Sequence, residues 1–174
     1  TDSIQGPFAA RYLFEKAGIK EVATVHDKKT YGQGLVEAFS AEYTKLGGKI
    51  VAAETINPDD DKYDAVISKI KPSNPKAVYY GGEFPQAGPF SQQMKAAGLN
   101  VPLMGGDGIF SGEYVKLAGS TATGDLSRNR RVGMELANLH PEPPALRVFD
   151  AGLGDGSVLT RTMREMHRRF PTVP

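Results

Sequence analysis

Apolar positions recur along the first 118 residues in two alternating rhythms, a helical spacing of three and four and a continuous β-rich run. Phe8, Tyr12 and Leu13 stripe a helix over about 3–17 that stops at Gly18, and "EVATVHD" (21–27) is a short strand ending in polar residues. From about Gly32 a second helix carries Leu35, Val36, Phe39, Tyr43 and Leu46 on one face, and the "GG" at 47–48 ends it. "KIVAAETI" (49–56) is the next strand. "NPDDD" then makes a turn with acidic residues suited to a helix N-terminus. Tyr63, Val66, Ile67 and Ile70 form that helix's stripe, which Pro72 stops.

The alternation continues with strand "KAVYYGG" (76–82) and a helix through Phe90, Met94 and Ala97 closed by Gly98. "VPLMGGDG" (101–108) holds a fourth strand and its loop, followed by a short helix to about Ala118. After "GSTATGDLS" comes a helix in "RNRRVGMELANLH", a break at "PEPP" (141–144) and a fifth strand in "LRVFDA". Leu159, Met163, Met166 and Phe170 stripe the last helix. Strands separated by helices predict βα units, and so a three-layer α/β/α sandwich around a five-stranded parallel sheet of flavodoxin-like or Rossmann-like form. In such sheets the loops after the strands share one edge, where ligands bind. Here those loops are "HDKKTYGQG", "GGEFPQAG", "GGDGIFSGE" and "DAGLGDG".

Composition narrows the function. The chain has 174 residues, 40% hydrophobic and 24% charged, which predicts one globular domain. A net charge of +1 gives no general attraction for nucleic acid, and no window approaches the roughly 18 apolar residues of a membrane span. Neither partner is expected. The absence of cysteine excludes disulfides and cysteine nucleophiles and leaves localisation open. No signal peptide is read at Thr1, and the start reads as an interior piece of a longer chain. Charge usage changes sharply along the chain: residues 1–124 hold twelve lysines and one arginine, whereas 125–174 hold eight arginines and no lysine. That switch reads either as a solvated basic face or as a second origin for the tail.

The motifs "DSIQGPFAARYLFEK", "VATVHDKKTYGQGL", "AVYYGGEFPQAGPF", "MKAAGLNVPLMGGDGI" and "LAGSTATGDL" make residues 1–124 resemble the second lobe of a type I periplasmic branched-chain amino-acid (Leu/Ile/Val) binding protein. The resemblance implies a clamp for a small amino acid that serves an ABC importer. It also implies that Tyr31 packs on the ligand side chain and that Asp107 pairs with the ligand ammonium. Glu83 would face the ligand where the family often has an aromatic residue. A carboxylate there is costly beside an aliphatic group, which favours a polar or cationic ligand. Without the resemblance, Tyr31 is a loop aromatic, Asp107 a turn-former and Glu83 a helix cap. With one lobe alone, amino-acid binding is expected to be weak.

The tail is similar to the start of a class I S-adenosylmethionine-dependent methyltransferase. Its strand runs into Asp150, Gly152, Gly154 and Gly156, a D-x-G-x-G-x-G loop whose glycines admit a cofactor's close approach. "FPTVP" stops where the strand bearing the ribose-binding acid would begin, so the S-adenosylmethionine site reads as incomplete and no cofactor is expected. No acceptor site or general base accompanies the loop, and no enzyme activity is expected. Taken together, the two resemblances read as an engineered chimera: one hybrid domain, with 1–124 lobe-like, 125–127 a junction and 128–174 methyltransferase-like. An amino-acid-binding module and a residual S-adenosylmethionine binder are the alternatives. An exposed edge strand would favour self-association.

Overall fold

A computed structural model of the chain describes residues 2–121. Helix α1 (Asp2–Arg11) runs on into a π turn (Tyr12–Lys16), where the Ala17 N–H reaches back to the Tyr12 carbonyl at 2.9 Å. This wider turn buries Tyr12 and Leu13, and Gly18, at φ 68°, reverses the chain into β1 (Glu21–His26). The alternation then follows the sequence pattern: α2 (Thr30–Lys45), β2 (Lys49–Thr55), α3 (Asp64–Ile70), β3 (Ala77–Gly81), α4 (Phe84–Ala96), β4 (Leu103–Gly105) and α5 (Gly112–Ala118).

The strands form one parallel sheet in the order β2-β1-β3-β4. Among the described residues it has four strands rather than the expected five. The fifth strand, at 146–150, and its "DAGLGDG" loop lie outside the described residues.

Period-2 alternation divides the central strands between two cores. Ala77 and Tyr79 of β3 join Val22, Phe39, Tyr43 and Met104 under α1 and α2. Val78 and Tyr80 join Val25, Ile67, Phe90 and Met94 under α3, α4 and α5. All five residues of β3 are buried, as expected of a parallel strand covered on both faces. Phe39 stacks on Tyr79 with centroids 3.9 Å apart and on Tyr43 at 5.1 Å, which fastens α2 to the sheet. The fold is an α/β sheet with helices on both faces, and every strand leads its following loop to the same edge.

Candidate functional site

Three loops at the carboxyl edge meet through main chain. The strands β1 and β3 lie side by side, and the Asp27 N–H donates to the Gly81 carbonyl at 3.1 Å just beyond their ladder. Gly32, in the first turn of α2, presses against Gly81: a Cβ on Gly81 would lie 2.1 Å from the Gly32 carbonyl oxygen. Gly108, after β4, stands in turn against Gly82, where a Cβ on Gly108 would lie 2.6 Å from the Gly82 carbonyl oxygen. No side chain fits at either contact, so the glycines of "YGQG", "YYGG" and "GGDG" are where backbones touch.

On this frame, Tyr31 and Asp107 come together across the sheet edge. The Tyr31 hydroxyl donates to Asp107 Oδ1 and accepts the Gly108 N–H at 3.0 Å. The Asp107 N–H donates to Gln5 Oε1 of α1 at 2.9 Å, so a helix far away in sequence also holds this loop. Both side chains are half-buried, and Asp107 Oδ2 carries no hydrogen bond among the described residues. Asp107 also begins a tight 3-10 turn (Asp107–Ile109), so it is a turn-former as well as a site candidate.

Glu83 occupies the N-cap position of α4, yet its side chain makes no capping hydrogen bond. Its carboxylate instead pairs with Lys29 Nζ at 2.8 Å, joining the β1–α2 and β3–α4 loops above the sheet edge. The hydrogen bond to Glu83 raises the Lys29 pKa, against a smaller opposing effect of desolvation. The pair is exposed and contributes little to stability. Its effect is to give this end of the site two opposed charges rather than an apolar wall.

Lys28, between these anchors, adopts φ 62°, a left-handed conformation uncommon for a lysine. It is held by its N–H to His26 Nδ1 at 3.1 Å and by Nζ to Asn57 Oδ1 at 2.6 Å. Strain of this kind collects at sites whose loop shape is set by their surroundings.

Gln5, Asp27 and Lys29 were not legible as site residues in the sequence. Gln5 is remote, and Lys29 looks like one of two solvated lysines. Only Asp27 left a signal, as an acid closing an otherwise apolar strand. Asp150, Gly152, Gly154 and Gly156 lie outside the described residues, as does the 125–127 junction. Among the described residues, no three His, Asp or Glu side chains gather to hold a metal ion, and no helix is long and apolar enough to cross a membrane.

A family model described as periplasmic binding protein matches residues 1–127. An amino acid binding protein of Pseudomonas aeruginosa is 40% identical over 118 residues, covering 68% of this chain and 32% of its own length. A Leu/Ile/Val-binding protein of Citrobacter freundii is 36% identical over 123 residues, 71% of this chain and 34% of its own. Among solved structures, a branched-chain amino acid transporter substrate binding protein of Streptococcus pneumoniae, in complex with isoleucine, superposes with TM-score 0.65 at 31% identity. That superposition covers 69% of this chain and 34% of the other. The chain thus spans about a third of the length of the curated relatives it matches. Family match and superposition agree: the chain belongs to the periplasmic binding protein family.

Proposed function

We propose that residues 1–127 are the amino-acid-binding lobe of a solute-binding protein serving a membrane importer, a binding module and not an enzyme. The observation that carries this reading is the pairing of Tyr31 with Asp107. Asp107 Oδ1 is taken by the tyrosine hydroxyl, which leaves Oδ2 to meet a ligand ammonium at the sheet edge. The Tyr31 ring then offers its face to the ligand side chain. The relatives named above are described as binding amino acids, leucine, isoleucine and valine among them.

At the far end the Lys29–Glu83 pair makes this lobe's site less apolar than a branched aliphatic side chain requires. We therefore assign it a small amino acid with a polar or cationic side chain. With contacts from one lobe, water reaches the ammonium–Asp107 pair, and such a pair is worth only about 0–1 kcal/mol. Affinity in the isolated 174-residue chain is expected near millimolar, about −4 kcal/mol.

Calorimetric titration of the chain with leucine, glutamine, serine, lysine and arginine tests this reading. We expect weak saturable binding that Asp107→Ala abolishes and that favours the polar or cationic ligands. No saturable signal with any of them at roughly millimolar concentration refutes it.

A second reading concerns the tail alone. The family match ends at residue 127, where lysine usage gives way to arginine. This coincidence supports a separate origin for 128–174, with the Asp150–Gly156 loop as a vestigial S-adenosylmethionine-type turn. Titration with S-adenosylhomocysteine tests it: a signal that Gly154→Asp leaves unchanged removes the loop from consideration.

A further inference from the structure

Asp107 opens a 3-10 turn, and the leading N–H groups of any helical turn find no acceptor inside it. The residue in front, Gly106, has no side chain with which to cap them. The two donors are met from elsewhere in the chain. The Asp107 N–H donates to Gln5 Oε1 at 2.9 Å, and the Gly108 N–H donates to the Tyr31 hydroxyl at 3.0 Å. Both acceptors close over Gly106, where a Cβ would lie 2.7 Å from Gln5 Oε1 and 2.9 Å from Tyr31 Oη. A side chain at 106 would therefore push aside the groups that cap the turn.

Gln5 reaches this loop because of its neighbour on α1. A Cβ on Gly6 would lie 2.7 Å from the Phe39 backbone nitrogen and 2.9 Å from the Leu35 carbonyl oxygen, so α1 and α2 touch backbone to backbone. Gln5, one residue earlier and half-buried, is carried in by that seam. The Asp107 N–H can donate only to the oxygen of its amide, which fixes which way the amide points. A neutral acceptor also suits the place. A second carboxylate here would disfavour the ionised form of Asp107.

We propose that Gln5 is a positioning residue for Asp107: it caps the turn from a remote helix and holds residue 107 where the Tyr31 hydroxyl can bond its carboxylate. The placing of this acid then depends on how α1 seats on α2. The consequence for ligand binding rests on the amino-acid reading above, in which Asp107 meets the ammonium. The cap itself holds whether or not an amino acid binds.

Two variants of the full chain test this. Gln5→Met keeps the length of the side chain and removes the acceptor, whereas Gln5→Glu keeps an acceptor. In Gln5→Met the Asp107 amide should exchange hydrogen about tenfold faster, while Val78, whose N–H donates to the Pro102 carbonyl, keeps its rate. Gln5→Glu should restore Asp107 protection to within about threefold of the original chain. Tyr31→Phe should lower the urea midpoint less in the Gln5→Met background than in the original chain, because the tyrosine then faces a displaced carboxylate. Calorimetry reads the consequence: the amino acid that the original chain binds best should bind Gln5→Met about fivefold more weakly or worse. An original chain that binds no amino acid refutes the amino-acid reading instead, and the exchange rates and midpoints still decide the cap. Unchanged Asp107 exchange, an increase that Val78 shares, no rescue by Gln5→Glu, or additive midpoints overturn the proposal. So does equal affinity of Gln5→Met and the original chain.

Discussion

Replacing Tyr31 with phenylalanine removes one oxygen and leaves the ring that would face a ligand. That oxygen donates to the Asp107 carboxylate and accepts the Gly108 N–H at 3.0 Å. A hydrogen bond to a charged group contributes about 1.5–3 kcal/mol and a neutral one about 1. Both partners are half-buried, so water replaces part of what is lost, which sets the net cost at about 2 kcal/mol. For a domain of this size that corresponds to a fall in melting temperature of roughly 4–8 °C. Thermal unfolding followed by circular dichroism reads it directly. If the hydroxyl acts through Asp107, then in Asp107→Ala the same change should cost less than half as much, a coupling of about 1 kcal/mol or more. A fall of less than about 1 °C, or strict additivity with Asp107→Ala, refutes the bridge as an energetic unit.

Phe39→Ala should destabilise by about 3–5 kcal/mol, because it empties a fully buried position stacked between Tyr79 and Tyr43. Chemical denaturation measures this, and a loss below about 1 kcal/mol would show that the aromatic stack does not fasten α2. Alkaline pH should weaken the fold. Burial, then the Glu21 charge, pushes Tyr43 up to about 12, and burial raises Tyr63 and Tyr80 as well. The unfolded chain sheds these protons near pH 10 while the folded chain keeps them. The stabilisation is therefore whole below about pH 10 and lost as pH rises through the folded values, about 2–3 kcal/mol for Tyr43 alone. A denaturation midpoint that stays flat from about pH 9 to 12 would contradict this sign. Gly81→Ala drives a Cβ to 2.1 Å from the Gly32 carbonyl oxygen and should cost about 1–3 kcal/mol or more, with weakened amino-acid binding. Unchanged stability would show that β1, β3 and α2 can part without cost.

Several elements of residues 2–121 were legible from their apolar pattern. Phe39 and Tyr43 lie four apart on α2, and the run from Ala77 to Tyr80 is apolar on both faces. The π turn at 12–16 was not, since hydrogen bonds one residue longer leave no mark in an apolar pattern. At the site, Tyr31, Glu83 and Asp107 could be placed on one edge because each follows a strand. Their connections could not. Gln5 and Asp107 are 102 residues apart, and only the packing of α1 on α2 brings Gln5 to the loop. Glu83 also reads as a helix cap in the sequence, whereas its partner turns out to be a lysine in another loop.

The glycine-to-glycine seams between Gly32 and Gly81 and between Gly82 and Gly108 separate two jobs that most pockets mix. Main-chain contacts between glycines set the shape of the edge, and the side chains of residues 31, 83 and 107 stand on it. A rim built this way lets the side chains standing on it be exchanged while the mould beneath them stays as it is.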